Sequence, residues 1–282
     1  MRNSVVTAFL LVCAADSLAA EPQVHRDLAY TDPVDAGRRL DVYAPHVGTD
    51  HPVLVWIHGG GWRQGDKSGV QHKPQAFVDK GFVFVSLNYR LVPQVSVKEM
   101  TGDVAQAIRW VHDHAEQYGG AADKIFIAGH SAGAHLAALA CTDGSYLEAQ
   151  GMNLSGIKGC IPVDTAVYDI PDQLKRVGPL RAITYTSAFG QTEADQKQLS
   201  PINHVAKHKG IPPFLILHVA DRPDSTAQSQ AFAKALLGAG VHANVVPGEG
   251  KNHGTINRDL GLPDDKPTQA VFGFLDGLRK GR

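Results

Sequence analysis

The chain has 282 residues, 43% of them hydrophobic and 20% charged, which excludes wholesale disorder and suffices to bury a sizeable core in one domain. Its formal net charge of −1, without a basic tract, excludes an electrostatic nucleic-acid surface. Fourteen histidines are mostly scattered. His112 and His114 would lie on different faces of a helix. His204 and His208 have H-x-x-x-H spacing, but Val205 stands where a zinc protease needs its Glu, and no metal is expected. At the N-terminus, Arg2 precedes an apolar run from Val5 to Ala15 and the exit Ser17-Leu18-Ala19. This is the form of a secretory signal peptide over residues 1–19, leaving a domain of 20–282 that is secreted or periplasmic. The run is too short for a membrane-spanning helix, and no span is expected. In the mature chain Cys141 and Cys160 remain, and both a disulfide and a buried free pair suit an oxidising compartment.

Leu40-Asp41-Val42-Tyr43-Ala44 alternates as a half-exposed strand does, and Val53 to Ile57 is an unbroken apolar run suited to a strand buried on both faces. A short helical piece from Gln75 to Lys80 leads to a strand over Phe82 to Leu87. Met100 to Tyr118 follows as an amphipathic helix, with Val104, Ala107, Ile108, Val111 and Ala115 at helical spacing and Gly119-Gly120 as its stop. Lys124 to Cys141 reads as a buried strand, a tight turn at Gly129-His130-Ser131-Ala132-Gly133 and an Ala- and Leu-rich helix. Ile157 to Val163 is a further strand. Residues 165–209 lose periodicity and form an insertion, cap-like, of the kind that shapes substrate pockets. Strands over Pro213 to Val219 and Val241 to Pro247 enclose a helix from Thr226 to Leu237, and a helix from Pro267 to Lys280 closes the chain. The alternation predicts an α/β fold, a mostly parallel sheet with helices on both faces.

Chemistry concentrates at the turns. A Ser on a tight strand-to-helix turn needs small neighbours, and the turn lifts its hydroxyl clear of the sheet at a helix N-terminus. A serine hydroxyl needs a base to take its proton and a third group to hold the base, in the chain order Ser131, acid, His. Of the two histidines beyond the strand ending at Val219, His242 opens a strand. His253, in the loop Gly250-Lys251-Asn252-His253-Gly254, can reach back over the sheet and is the expected base. The acid is expected at Asp221, directly after Val219-Ala220. Asp224 could instead cap the following helix, and Asp164, at the end of an earlier strand, is the third carboxylate. Gly59-Gly60-Gly61 follows a buried strand without the G-x-G-x-x-G of a dinucleotide site. Gly60 and Gly61, with Ala132 after the serine, are therefore the expected oxyanion donors. Trp62 beside them is the candidate substrate contact, with Tyr168, Tyr185 and Phe189 of the insertion as further candidates.

His58-Gly59-Gly60-Gly61-Trp62, Gly129-His130-Ser131-Ala132-Gly133 and Asn252-His253-Gly254 resemble the motifs of α/β-hydrolase esterases and lipases bearing HGGG(W). The resemblance covers nearly the whole mature chain and is similar both to small-molecule carboxylesterases and to the kynurenine formamidase-like branch. In that branch the acid precedes a Gln-Ser pair at the spacing Asp221 has from Gln228-Ser229, although the Gly that many members place before the acid is missing from His218-Val219-Ala220. The resemblance implies a serine carboxylesterase acting on small esters without a cofactor. Its alternatives are an aryl-formamide hydrolase, against which the signal peptide argues, and a non-catalytic binding module, against which the complete motif set argues.

Overall fold

The computed structural model describes residues 20–281, so the proposed signal segment lies outside the described residues. Eight strands form one sheet in the order β1-β2-β4-β3-β5-β6-β7-β8. They are β1 (Gln23–Ala29), β2 (Arg39–Ala44), β3 (His51–Ile57), β4 (Val83–Leu87), β5 (Gly120–His130), β6 (Ile157–Val163), β7 (Phe214–Val219) and β8 (Ala243–Gly248). The pairs β1–β2 and β2–β4 are antiparallel, and every pair from β4 to β8 is parallel. The long apolar runs fall in this parallel part because both of its faces are covered. In β3, Val53, Val55 and Ile57 face one core while Leu54 and Trp56 face the other.

The helices in chain order are α1 (Lys73–Asp79), α2 (Val97–His114), α3 (Ala132–Ala140), the short α4 (Ser145–Glu148), α5 (Ile170–Arg176), α6 (Pro179–Phe189), α7 (Glu193–Gln198), α8 (Pro223–Gly238), the short α9 (Thr255–Arg258) and α10 (Lys266–Arg279). On one face α2, α3 and α8 bury Val104, Ile108, Leu136 and Phe232; on the other α1 and α10 bury Phe77, Val271 and Leu275. This is an α/β-hydrolase fold. The start of α2 is fixed by a capping box, Ser96 accepting from Glu99 N while the Glu99 carboxylate accepts from Ser96 N. Residues 165–209 contain α5, α6 and α7 and no strand, and α6 lies over the C-terminal ends of the strands beside the serine turn. Cys141 and Cys160 are buried free thiols. Among the described residues, no helix is long and apolar enough to cross a membrane.

Candidate active site

Ser131 sits between β5 and α3 with φ +56° and ψ −116°, a conformation that non-glycine residues reach only when the surroundings enforce it. Two contacts enforce it here. Ser131 N donates to Val163 O at 2.9 Å, pinning the turn to β6. At Gly133 the first turn of α3 presses against β3 so closely that an added Cβ would lie 2.1 Å from Ile57 O and 2.5 Å from His58 O. The serine hydroxyl therefore projects above the sheet at the start of a helix.

His253 lies between β8 and α9 and is seated from several directions. Asn252 Oδ1 accepts from Gly254 N and Thr255 N, both at 2.9 Å, which folds the loop on itself. His130, the residue before Ser131, donates from Nε2 to the His253 carbonyl at 2.8 Å, and the two rings lie 4.5 Å apart. Burial pushes His130 down to about 3, so it remains a neutral, fixed donor. From beneath, the buried Lys73 ammonium donates to Asn257 O of α9 at 2.8 Å and lies 4.7 Å from the Trp56 ring centroid.

The reactive atoms meet. Ser131 Oγ lies 3.0 Å from His253 Nε2, and His253 Nδ1 lies 2.6 Å from Asp164 Oδ2. A carboxylate accepts only, so the proton sits on Nδ1 and leaves the Nε2 lone pair toward the serine. Asp164 is fully buried. Burial alone would raise its carboxyl, but the His253 hydrogen bond, the Arg222 charge, the Ser225 hydroxyl and the Val219 amide hold it well below the usual carboxylate range. Arg222 Nη1 binds the same Oδ2 and lies 2.9 Å from His253 Nδ1.

This arrangement corrects the expected acid. Asp221 is exposed and makes no hydrogen bond to His253. The cause is register. His130 of β5 pairs with Val163 of β6, so the next residue on each strand, Ser131 and Asp164, stand side by side. β7 is one strand farther out. After Val219 the chain turns, with Arg222 N donating to Val219 O at 3.2 Å, and this brings Arg222 rather than Asp221 to the site. Asp224 lies in the first turn of α8, where it accepts from Gln173 Nε2 at 3.1 Å. Gln228, which the Gln-Ser spacing tied to the acid, instead accepts from Asp169 N at 2.8 Å and braces α5. His242 precedes β8, its carbonyl accepting from Phe214 N at the opposite end of β7 from the site.

Above Ser131 opens a cavity of about 230 Å³. Gly61 and Ala132 line it, and their N–H groups bond no protein acceptor among the described residues. Gly60 does not line it; at φ +122° its carbonyl accepts from Arg63 N and Gln64 N and shapes the loop from below. Tyr89 steadies that loop, donating from its hydroxyl to His58 O at 2.9 Å and stacking on the His58 ring. Trp62 lines the cavity and is packed edge-on by Phe189 at 4.7 Å and by Tyr185 at 6.2 Å between centroids. Of the insertion aromatics, Tyr185 reaches the cavity, Phe189 stands behind Trp62, and Tyr168 is a core residue stacked on Phe232. No motif in the sequence marks Arg222 and Arg181 of the lining. For Asp164 the available signal is an apolar strand that ends directly in Asp.

Comparison with known proteins places the chain in a family. The BD-FAE family model matches residues 40–236. The chain is 35% identical over 276 residues to esterase LipQ of Mycobacterium tuberculosis, covering 88% of this chain and 61% of LipQ. It is 29% identical over 260 residues to a probable isoprenylcysteine α-carbonyl methylesterase, ICMEL1, of Arabidopsis thaliana, covering 86% of this chain and 52% of that protein. It thus spans between half and two thirds of the length of these curated relatives. Among solved structures, Thermogutta terrifontis esterase 2 phosphonylated by sarin aligns with a TM-score of 0.71 at 27% identity, covering 92% of this chain and 95% of that one. The chain belongs to the BD-FAE family of α/β-hydrolase-fold proteins.

Proposed function

We propose that the protein is a carboxylic ester hydrolase that works through an acyl-enzyme on Ser131, with His253 as base and Asp164 as the acid that orients it. One observation carries the proposal: an unbroken chain from Ser131 Oγ to His253 Nε2 at 3.0 Å and from His253 Nδ1 to Asp164 Oδ2 at 2.6 Å, on a backbone turn held at positive φ. Ser131 Oγ attacks the ester carbonyl as its proton passes to Nε2. The resulting oxyanion meets the free N–H groups of Ala132 and Gly61, with Gly60 shaping the loop that presents them. The imidazolium, steadied by the ionised Asp164, then gives its proton to the departing alcohol. Water repeats the sequence, releasing the acid and restoring the serine. No step needs a cofactor.

The small cavity favours short acyl groups, and Trp62 forms one wall of it. The same machinery serves an aryl formamide, so N-formylkynurenine belongs beside short acyl esters in the substrate panel; faster turnover of the formamide would move the assignment to an amide leaving group. The primary test is hydrolysis of p-nitrophenyl acetate by the wild type and Ser131→Ala. The wild type is expected to hydrolyse it, and the variant to lose at least about a thousandfold in kcat; an unchanged rate in the variant refutes the nucleophile. We also propose that the enzyme is exported. This reading rests on the apolar N-terminal segment, and N-terminal sequencing of protein from a secreting host should then begin at Ala20.

A further inference from the structure

Three residues of α6 face the cavity at helical spacing: Arg181, Thr184 and Tyr185. They give it two chemically different ends. Tyr185 stands with Trp62, their centroids 6.2 Å apart, and forms an aromatic end next to the oxyanion loop. Arg181, one turn earlier, joins Arg222 at the end where His253 and Asp164 lie. The two guanidinium groups share Asp224, which lies 3.5 Å from Arg181 and 3.6 Å from Arg222.

The charges at this end are not equally available. Asp164 is fully buried and committed to His253, Arg222 and Ser225. Asp224 does not line the catalytic cavity; it lines the neighbouring groove on the other side of Arg181. The Arg222 side chain is only 20% exposed and is held by both carboxylates, whereas the Arg181 side chain is 61% exposed. The Arg181 end of its 3.5 Å pair with Asp224 is open to solvent, and Asp224 keeps Arg222 and Gln173 as partners, so Arg181 can exchange Asp224 for a ligand at small cost. A substrate in the cavity therefore meets a positive end, and the guanidinium fork matches a carboxylate in two parallel hydrogen bonds.

The side on which this end lies follows from the chemistry. His253 protonates the alcohol oxygen as it leaves, so the alcohol portion departs along the imidazole, the side that Arg222 touches. Building on the ester-hydrolase reading, we propose that the preferred substrate is an ester whose alcohol portion carries a carboxylate, recognised by Arg181 at the His253 end of the cavity. The reaction consumes one water, breaks the acyl C–O bond and releases a carboxylic acid and a hydroxy acid.

The test compares 4-acetoxybenzoate with its neutral relative 4-acetoxybenzamide, following release of the phenol by chromatography, with p-nitrophenyl acetate as a control for the ester reading. The carboxylate compound is expected to have a kcat/KM about tenfold higher at low salt, as one charge-assisted contact allows. The preference should shrink in about 0.5 M NaCl as screening tightens. Arg181→Gln should bring the ratio close to one, and Arg181→Lys should keep part of it; circular dichroism of each variant checks the fold. Equal kcat/KM for the two compounds, a preference that survives Arg181→Gln, or failure to cleave 4-acetoxybenzoate while p-nitrophenyl acetate turns over each overturns the inference. If no ester, p-nitrophenyl acetate included, is cleaved, the ester-hydrolase reading itself fails.

Discussion

Replacing Asp164 by Asn separates the two carboxylates that compete for the third catalytic place. In the native site Oδ1 accepts from Val219 N at 3.1 Å and from Ser225 Oγ at 2.7 Å, and the Asn side-chain oxygen can keep both bonds. The change therefore falls on the other atom. Where Oδ2 accepts from His253 Nδ1 at 2.6 Å and from Arg222 Nη1, an amide NH2 would face two donors. The imidazole can resolve its part of the conflict by carrying its proton on Nε2, which leaves no lone pair for Ser131. A wrong tautomer of this kind costs about 10⁴ in kcat in a well-studied serine hydrolase, equivalent to about 5 kcal/mol, and a loss of about 10³ to 10⁴ is expected here. Asp221→Asn removes an exposed group without a partner at the site and should change kcat by less than about twofold. The assay is initial-rate hydrolysis of p-nitrophenyl acetate under saturation. Thermal melts run in parallel, because Arg222 loses its buried partner and breaking such a pair costs about 3–5 kcal/mol. A folded Asp164→Asn enzyme with near-native kcat, or an inactive Asp221→Asn enzyme, would rule out Asp164 as the third catalytic group.

Three further outcomes follow from the supports of the site. His130→Leu deletes the 2.8 Å bond to the His253 carbonyl and should lower kcat about 10- to 100-fold with little change in KM, while His130→Gln, which retains a donor, recovers part of the loss in the same assay. Gly133→Ala drives a Cβ to 2.1 Å from Ile57 O, where neither backbone can yield freely; a loss of about 3 kcal/mol is expected and is read as a lower midpoint in a thermal melt. Lys73 is buried and pushed down to about 7, so between pH 7 and its ordinary value near 10.5 the unfolded chain binds the extra proton and stability rises with pH. Lys73→Met removes that linkage: its midpoint relative to the wild type should be more favourable at pH 6 than at pH 9, and a pH-independent difference would contradict the assignment.

Most of the fold was legible because each parallel strand is covered on both faces and therefore reads as an apolar run. β6 and β7 are examples, every residue but Lys158 being buried. β1 gave no such signal. It is an exposed edge strand whose residues Gln23, His25, Arg26 and Asp27 bury no continuous face, so neither alternation nor hydropathy marks it. The nucleophile turn was legible because its small residues answer a local steric demand, as the contact of Gly133 with β3 shows. The loop position of His253 was legible from chain order. The place of Asp164 beside His253 was not, because it depends on which strand lies beside β5 and in what register, and neither is written in a single strand. Val163-Asp164 and Val219-Ala220-Asp221 look alike in the sequence. Only the pairing of His130 with Val163 brings the first to Ser131, and only the turn after Val219 sends Arg222 inward and Asp221 to solvent. The missing Gly before Asp221 was the one local hint that this strand end is built differently.

The proposed mechanism makes Ser131 the covalent nucleophile, activated by His253 and Asp164. Intact-mass spectrometry after treatment with a fluorophosphonate, followed by peptide mapping, tests it most directly. One adduct per wild-type chain is expected, located on Ser131 and formed in step with loss of esterase activity, with far slower labelling of His253→Ala. Hydrolysis that continues while Ser131 is fully modified, or full inactivation by an adduct on another residue, would contradict it.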